Sequence, residues 1–169
     1  MDFAIMVKEN TKNCNGKLRK NLYPVLVNAL VVKDGKILIA QRGLEEKHGP
    51  GKWCIPGGRL EHTGVVYEAL QKTAKREVLE ETGVEVEDKM YLVANNTFQH
   101  DEDELQMIVV VFLCFYKFGE LKAMEDTIDV RWIRPEEIDN FDFHNINVKN
   151  YVLKGFEFLH IFKKNDGQI

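Results

Sequence analysis

Four ionisable side chains crowd the segment Arg76-Glu77-Val78-Leu79-Glu80-Glu81-Thr82-Gly83, and three of them are carboxylates. On a helix turning about 100° per residue, with Val78 at zero, Glu81 falls at about −60°, Glu77 at about −100° and Glu80 at about −160°, so the acids share about 100° of arc on the final turns. Like charges at i,i+4 on a solvated helix cost only about 0.2–0.5 kcal/mol. In a cleft with an effective dielectric of about 20, two carboxylates about 5 to 6 Å apart repel by roughly 3 kcal/mol. Such a face is either fully wet, and the cluster incidental, or it meets cations that turn repulsion into coordination. Hard divalent ions such as Mg²⁺ take oxygen ligands and suit carboxylates that face a phosphate chain. Arg76 stands four residues before Glu80, close enough to hold it by an i,i+4 ion pair.

Those acids need a helix beneath them. Residues 65–82 contain neither Gly nor Pro, and Gly83 closes the run as a left-handed C-cap would. The spacing predicts a helix over 65–82 with Tyr67, Leu70, Ala74 and Val78 as its core-facing stripe. Upstream, Val25-Leu26-Val27-Asn28-Ala29-Leu30-Val31-Val32 and Ile37-Leu38-Ile39-Ala40 flank Lys33-Asp34-Gly35-Lys36. Asp-Gly between two apolar runs signals an antiparallel hairpin, because both central residues of a type I′ turn take positive φ. Residues 49–58 hold many turn formers around a short apolar piece and read as loop, brief strand and loop. Residues 91–98, 105–117 and 130–133 read as strands, with 99–104 a polar link. Pro135-Glu136-Glu137 reads as a helical first turn, and 148–162 as a weakly amphipathic helix. Residues 1–20, basic and rich in asparagine without a period, read as an N-terminal arm ahead of one domain over 21–169.

Composition narrows the classes. A chain of 169 residues has enough length for one domain with a sizeable core. Hydrophobic residues at 44% and charged residues at 30% exclude a disordered or collagen-like chain. With 23 basic and 27 acidic residues, net −4, the chain is a poor candidate for duplex nucleic-acid binding by phosphate neutralisation. A small phosphorylated ligand remains open if a metal supplies the positive charge. Cys14, Cys54 and Cys114 form no Cys-x-x-Cys pair, which points away from a disulfide framework or zinc ribbon and toward a reducing cytoplasm. The longest apolar run, 107–116, is about half a membrane span, so no membrane association is expected.

In this setting the acidic segment resembles the box of the Nudix hydrolases: Gly, five residues, Glu, seven residues, then Arg-Glu-apolar-x-Glu-Glu-x-Gly-apolar. Residues 76–84 match the second half in full. Taking about 6% for each fixed residue and about a third for each apolar position, that half arises by chance about once in ten million starts. Trp53-Cys54-Ile55-Pro56-Gly57-Gly58-Arg59-Leu60-Glu61 is similar to the strand and Gly-Gly turn leading into the box, and Ala40-Gln41-Arg42 to the end of the family's second strand. The spacing departs at one place. Gly58 to Arg76 is 18 positions (76 − 58), against 14 in the family pattern. If the extra residues lie in the loop, Glu68 is the first Glu of the box; if Gln71-Lys72-Thr73-Ala74 is an added helical turn, Gly64 takes that position.

The resemblance implies an α/β/α sandwich with a mixed central β-sheet, and metal-dependent hydrolysis of a nucleoside diphosphate linked to another moiety. Glu77, Glu80 and Glu81, with the carbonyl of Gly57, would hold Mg²⁺ or Mn²⁺, and Arg76 would steady the acids. Glu77 is the favoured base by likeness to MutT-type members; other branches use a carboxylate of a later loop, here Asp126 with Glu125 beside it. Arg42 and Arg59 suit bidentate contact with phosphate oxygens. Residues 142–147 are similar to a MutT tail whose asparagine contacts the purine, which gives Asn147 that role, a capping or surface asparagine being the other reading. Asn95-Asn96-Thr97-Phe98 is similar to a stretch in members that act on nucleoside triphosphates. Trp53 and Trp132 read as core or as base-stacking residues, and His62 as a loop histidine or a phosphate contact. The implied partner is a small-molecule nucleotide, with a homodimer through the arm or exposed strands. A catalytically silent nucleotide-binding module is the alternative, disfavoured because a pure binder has no need of mutually repelling acids.

Overall fold

A computed structural model of the chain describes residues 23–61, 64–100 and 105–165. The N-terminal arm, His62 and most of the acidic link lie outside the described residues. Among the described residues seven strands run in the order β1 Val25–Lys33, β2 Lys36–Arg42, β3 Trp53–Cys54, β4 Gly57–Arg59, β5 Val84–His100, β6 Leu105–Gly119 and β7 Thr127–Ile133. Helix α1, Ala69–Thr82, sits between β4 and β5; a 3-10 turn, Pro135–Asn140, and helix α2, Ile146–Asn165, follow β7.

The Asp34-Gly35 turn has φ of 51° and 74°, as type I′ requires, and joins β1 to β2 antiparallel. The sheet order is β3-β2-β1-β6-β5, with β4 on β1 and β7 on β2. Strands β1 and β6 pair in parallel from Val25 with Ile108 to Val32 with Phe115, while the other pairs are antiparallel, so the sheet is mixed. Alternation along β1 sorts its side chains into two cores. Val27, Ala29 and Val31 join Ala74 and Val78 of α1; Leu30 and Val32 join Tyr151, Val152 and Leu159 of α2. The helices therefore cover opposite faces, which completes the α/β/α sandwich and explains why the central strand reads as a continuous apolar run. No helix among the described residues is long and apolar enough to cross a membrane.

Three local expectations change. Helix α1 starts at Ala69, four residues later than the pattern predicts, and Tyr67 is 85% exposed instead of core-facing. Gly64 (φ 75°) and Glu68 (φ 56°) both sit in the left-handed region, which no helix continues through, and the β-branched pair Val65-Val66 lies between them. Gly57-Gly58 is paired strand and not loop: β1 bonds to β4 through Leu26–Asn28 and to β2 through Val32 and Lys33, so its first half has an edge that β4 fills. Strand β5 begins at Val84, well before residue 91. Register shifts between Val86 and Met90 leave Glu87-Asp88-Lys89 exposed, and these charges break the alternation that marks a strand.

Candidate active site

Helix α1 ends on Gly83, at φ 70°, whose N–H donates to the Leu79 carbonyl at 2.9 Å. The loop after β6 is fastened to the same helix end. Lys122 N–H donates to the Thr82 carbonyl and Met124 N–H to the Glu81 carbonyl, both at 3.0 Å, satisfying acceptors that a helix terminus leaves open. Glu125 is the next residue, and its charge reaches both Glu77 and Glu81. On the opposite side of the acids runs β4. A Cβ on Gly58 would land on the Glu77 carboxylate, so only glycine lets that side chain lie over the strand.

Arg76 is forked between two acids, with Nη2 at 2.5 Å from Glu77 Oε1 and Nη1 at 2.5 Å from Glu80 Oε2; Glu61 lies 3.6 Å away. The Glu77 side chain is only 12% exposed, against 36% for Glu80. Burial pushes the Glu81 carboxyl up to about 8, and the neighbouring Glu77 charge adds to the rise against a backbone hydrogen bond from Gly57 and the pull of Arg42. Glu77 is raised as well, chiefly by burial, with Glu80 and Glu125 adding to it and Arg76 opposing. For Arg76 burial works against its charge, yet Glu77 and Glu80 more than offset this and its pKa rises. The Cys54 thiol is pushed up to about 12 by burial and by the charge of Glu81, so it stays protonated.

With Glu77 and Glu80 turned onto Arg76, no three His, Cys, Asp or Glu side chains among the described residues converge as metal ligands. The donor chemistry nevertheless fits a hard divalent ion. The oxygens are carboxylate and backbone carbonyl, and Glu77 and Glu81 are raised chiefly by burial with neighbouring carboxylates adding to it, so that a cation beside them would stabilise their charged forms.

Of the three acids, Glu81 lines a cleft of about 370 Å³. Arg42, Arg59, Gly57 and Glu81 line one end; Asn96, Phe98 and Tyr151 line the other. Arg42 is held by the His48 carbonyl at 2.7 Å from its Nε and by an ion pair with Glu46. Arg59 is exposed at the rim. Asn147 lines the cleft from the first turn of α2, while capping falls to Asn145, whose Oδ1 accepts from Val148 N–H at 3.1 Å. The Asp126 side chain is exposed; its carbonyl accepts from Gly43 N–H at 2.6 Å, and Glu125, not Asp126, is the loop acid felt by Glu77 and Glu81. Glu68 is exposed at the helix start and Gly64 on the loop before it. Trp53 is buried edge-on against Phe141 at 5.0 Å, and the half-buried Trp132 stands edge-on to Tyr116 at 6.0 Å, so both belong to packing. Sequence reading missed Asn28, buried under the cleft, although a lone amide in the apolar run of β1 is a signal. It also missed Glu46, His48 and Tyr151, which carry no local signal.

Fold and cleft together define an α/β/α domain whose helix-borne acid cluster reaches a ligand-sized cavity through Glu81. The sequence model of the NUDIX domain matches residues 22–153, well over half of the chain, and the chain belongs to the Nudix family as a pyrophosphohydrolase. The nucleoside triphosphatase NudI of Escherichia coli is 29% identical over 140 residues, covering 77% of this chain and 95% of NudI. Among solved structures, a NUDIX hydrolase from Nitrosomonas europaea superposes with a TM-score of 0.67 at 19% identity, over 86% of this chain and 77% of that one. The NUDIX domain of Shewanella oneidensis NrtR, solved with ADP ribose, gives 0.67 at 18% identity, over 83% and 91%. At those identities the structures speak for the fold.

Proposed function

We propose that this enzyme cleaves the pyrophosphate linkage of a nucleoside triphosphate, or of a related nucleoside diphosphate carrying another moiety, with Mg²⁺ or Mn²⁺ held by Glu77, Glu80, Glu81, the Gly57 carbonyl and the loop acids Asp126 and Glu125. One observation carries the reading: Glu81, one of the crowded acids of α1, lines one end of a cleft whose floor is apolar and whose near rim holds Arg42 and Arg59, with Glu77 and Glu80 held on Arg76 of the same helix. The likeness to a nucleoside triphosphatase supports the substrate class. A bound divalent ion would supply charge neutralisation on the phosphoryl oxygens and a water of lowered pKa. Arg42 and Arg59 bind and orient the phosphates through planar guanidinium groups. Arg76 holds the Glu77 and Glu80 side chains in place. Glu77, whose pKa burial raises, takes the proton of the attacking water. Asn147 faces the nucleoside from the first turn of α2. The start of α1 directly after Glu68 supports the reading in which the extra residues fall in the loop and Glu68 takes the place of the first box Glu, rather than Gly64. The free thiols of Cys54 and Cys114 suit a reducing compartment, the cytoplasm.

The test is a panel of nucleoside triphosphates, sugar nucleotides and dinucleotides incubated with the protein and Mg²⁺ or Mn²⁺. Release of pyrophosphate or a nucleoside monophosphate from at least one is expected. Silence across the panel with both metals, at neutral and alkaline pH, would replace hydrolysis by a silent nucleotide-binding module.

A further inference from the structure

The far end of the cleft holds a hydrogen-bonded pair that the hydrolytic reading leaves unused. Asn96 on β5 and Tyr151 on α2, 55 residues apart, meet there, with the Tyr151 hydroxyl donating to Asn96 Oδ1. Both residues also line a second groove of about 570 Å³, so the pair forms an end wall between two cavities.

Strand register fixes how far that wall stands from the acids. Asn96 pairs with Val109, Val109 with Leu26, and Leu26 with Arg59. These four residues form one row across β5, β6, β1 and β4, and all of them line the cleft. Three inter-strand steps make about 14 Å from Asn96 to Arg59. That is the scale separating a nucleobase edge from the phosphates of an extended nucleotide. Between the two ends the floor is apolar, with Leu26 and Val109 in this row and Met107 paired to Phe98 beside it, a surface for the flat face of a base.

The hydrogen bonds also fix the polarity of the wall. Asn96 Nδ2 donates to the Thr97 carbonyl at 3.1 Å, which sets the orientation of the amide. Turning it over would point Oδ1 at that carbonyl, acceptor against acceptor. The one proton of the Tyr151 hydroxyl is therefore committed to Asn96 Oδ1, and its oxygen presents lone pairs only, while Asn96 retains a second amide hydrogen. An acceptor beside a donor complements an exocyclic amino group beside an unprotonated ring nitrogen. Cytosine and adenine carry that arrangement on their Watson–Crick edge; uracil and hypoxanthine carry the reverse. Burial raises the Tyr151 pKa, against the opposing effect of its bond to Asn96, and keeps the hydroxyl neutral.

We infer that the Asn96–Tyr151 pair reads the base edge and selects nucleotides with an amino-bearing base, cytosine or adenine, over the size-matched keto bases uracil and hypoxanthine. This rests on the cleft being a nucleotide site with its phosphates at the Arg42 and Arg59 end. The experiment compares kcat/KM for CTP against UTP and for ATP against ITP in Mg²⁺, in the native protein, Tyr151→Phe and Asn96→Ala. The native protein should favour the amino member of at least one pair by 10-fold or more, and both variants should bring that ratio below 3-fold. Ratios taken within one preparation cancel any loss of folded protein, so a purely structural role would leave them unmoved. Equal use of both members by the native protein, or a ratio unchanged in both variants, would overturn the inference. The same ratios are measured as Kd with α,β-methylene nucleotides. If nothing is hydrolysed but the cytidine or adenosine analogue binds selectively and loses that selectivity in the variants, the reader stands and hydrolysis falls; if no analogue binds, the reader falls too.

Discussion

Replacing Glu81 by glutamine should stabilise the metal-free protein while disabling it. The folded carboxyl titrates at about 8, against an ordinary 4.5, because it is buried beside Glu77. Between those two values the folded state binds a proton that the unfolded chain has released, so stability falls as pH rises through that window and levels off above it. At about 1.4 kcal/mol per pH unit, the raised pKa of Glu81 costs about 3 kcal/mol of stability at pH 7 and approaches about 5 kcal/mol above pH 8. Glutamine keeps the shape and an acceptor for the Gly57 hydrogen bond but carries no charge. In urea titrations with EDTA, Glu81→Gln should therefore match the native protein at pH 4.5 and exceed it by several kcal/mol at pH 8.5, with a flatter pH dependence. Added Mg²⁺ should raise the stability of the native protein at pH 8.5 and leave the variant nearly unmoved. A variant no more stable than the native protein at pH 8.5 without metal, or one that gains equally from Mg²⁺, would refute the electrostatic account of the site.

Three further outcomes are expected. Glu77→Gln and Glu80→Gln should each lower kcat by at least about 100-fold, the range of a lost base or metal ligand, with circular dichroism unchanged. Gly58→Ala should cut turnover at least about tenfold, because the new methyl occupies the place of the Glu77 carboxylate; steady-state kinetics beside a melting curve separates this from unfolding. Gly83→Ala should destabilise by about 1 kcal/mol or more in urea titrations, since φ is 70° and a Cβ would stand 2.9 Å from the Glu120 carbonyl.

The acid-bearing helix and the hairpin before it are readable in the chain because their signals are local. Asp34-Gly35 demands its turn through two positive φ values, and the spacing of Glu77, Glu80 and Glu81 follows from helical geometry alone. The start of α1 is less legible, since residues 65–68 have helix-compatible composition but are placed by the left-handed backbone at Gly64 and Glu68. The choice of Glu125 over Asp126 as the acid felt by the cluster depends on two hydrogen bonds from a distant loop to the end of α1, and no residue pattern reports those.

Residue order alone determined the fold family, the identity of the crowded acids and the turn that starts the sheet, because each depends on neighbours within about one helical turn or one hairpin. Tertiary structure decided everything that joins distant segments. It paired Gly57-Gly58 with β1 where a loop was expected, and it buried Glu81 enough to hold a proton. It also aligned Asn96, Val109, Leu26 and Arg59 across four strands and set Tyr151 against the first of them. Register and burial are properties of the assembled sheet, and they are fixed only when strands far apart in the chain come to lie side by side.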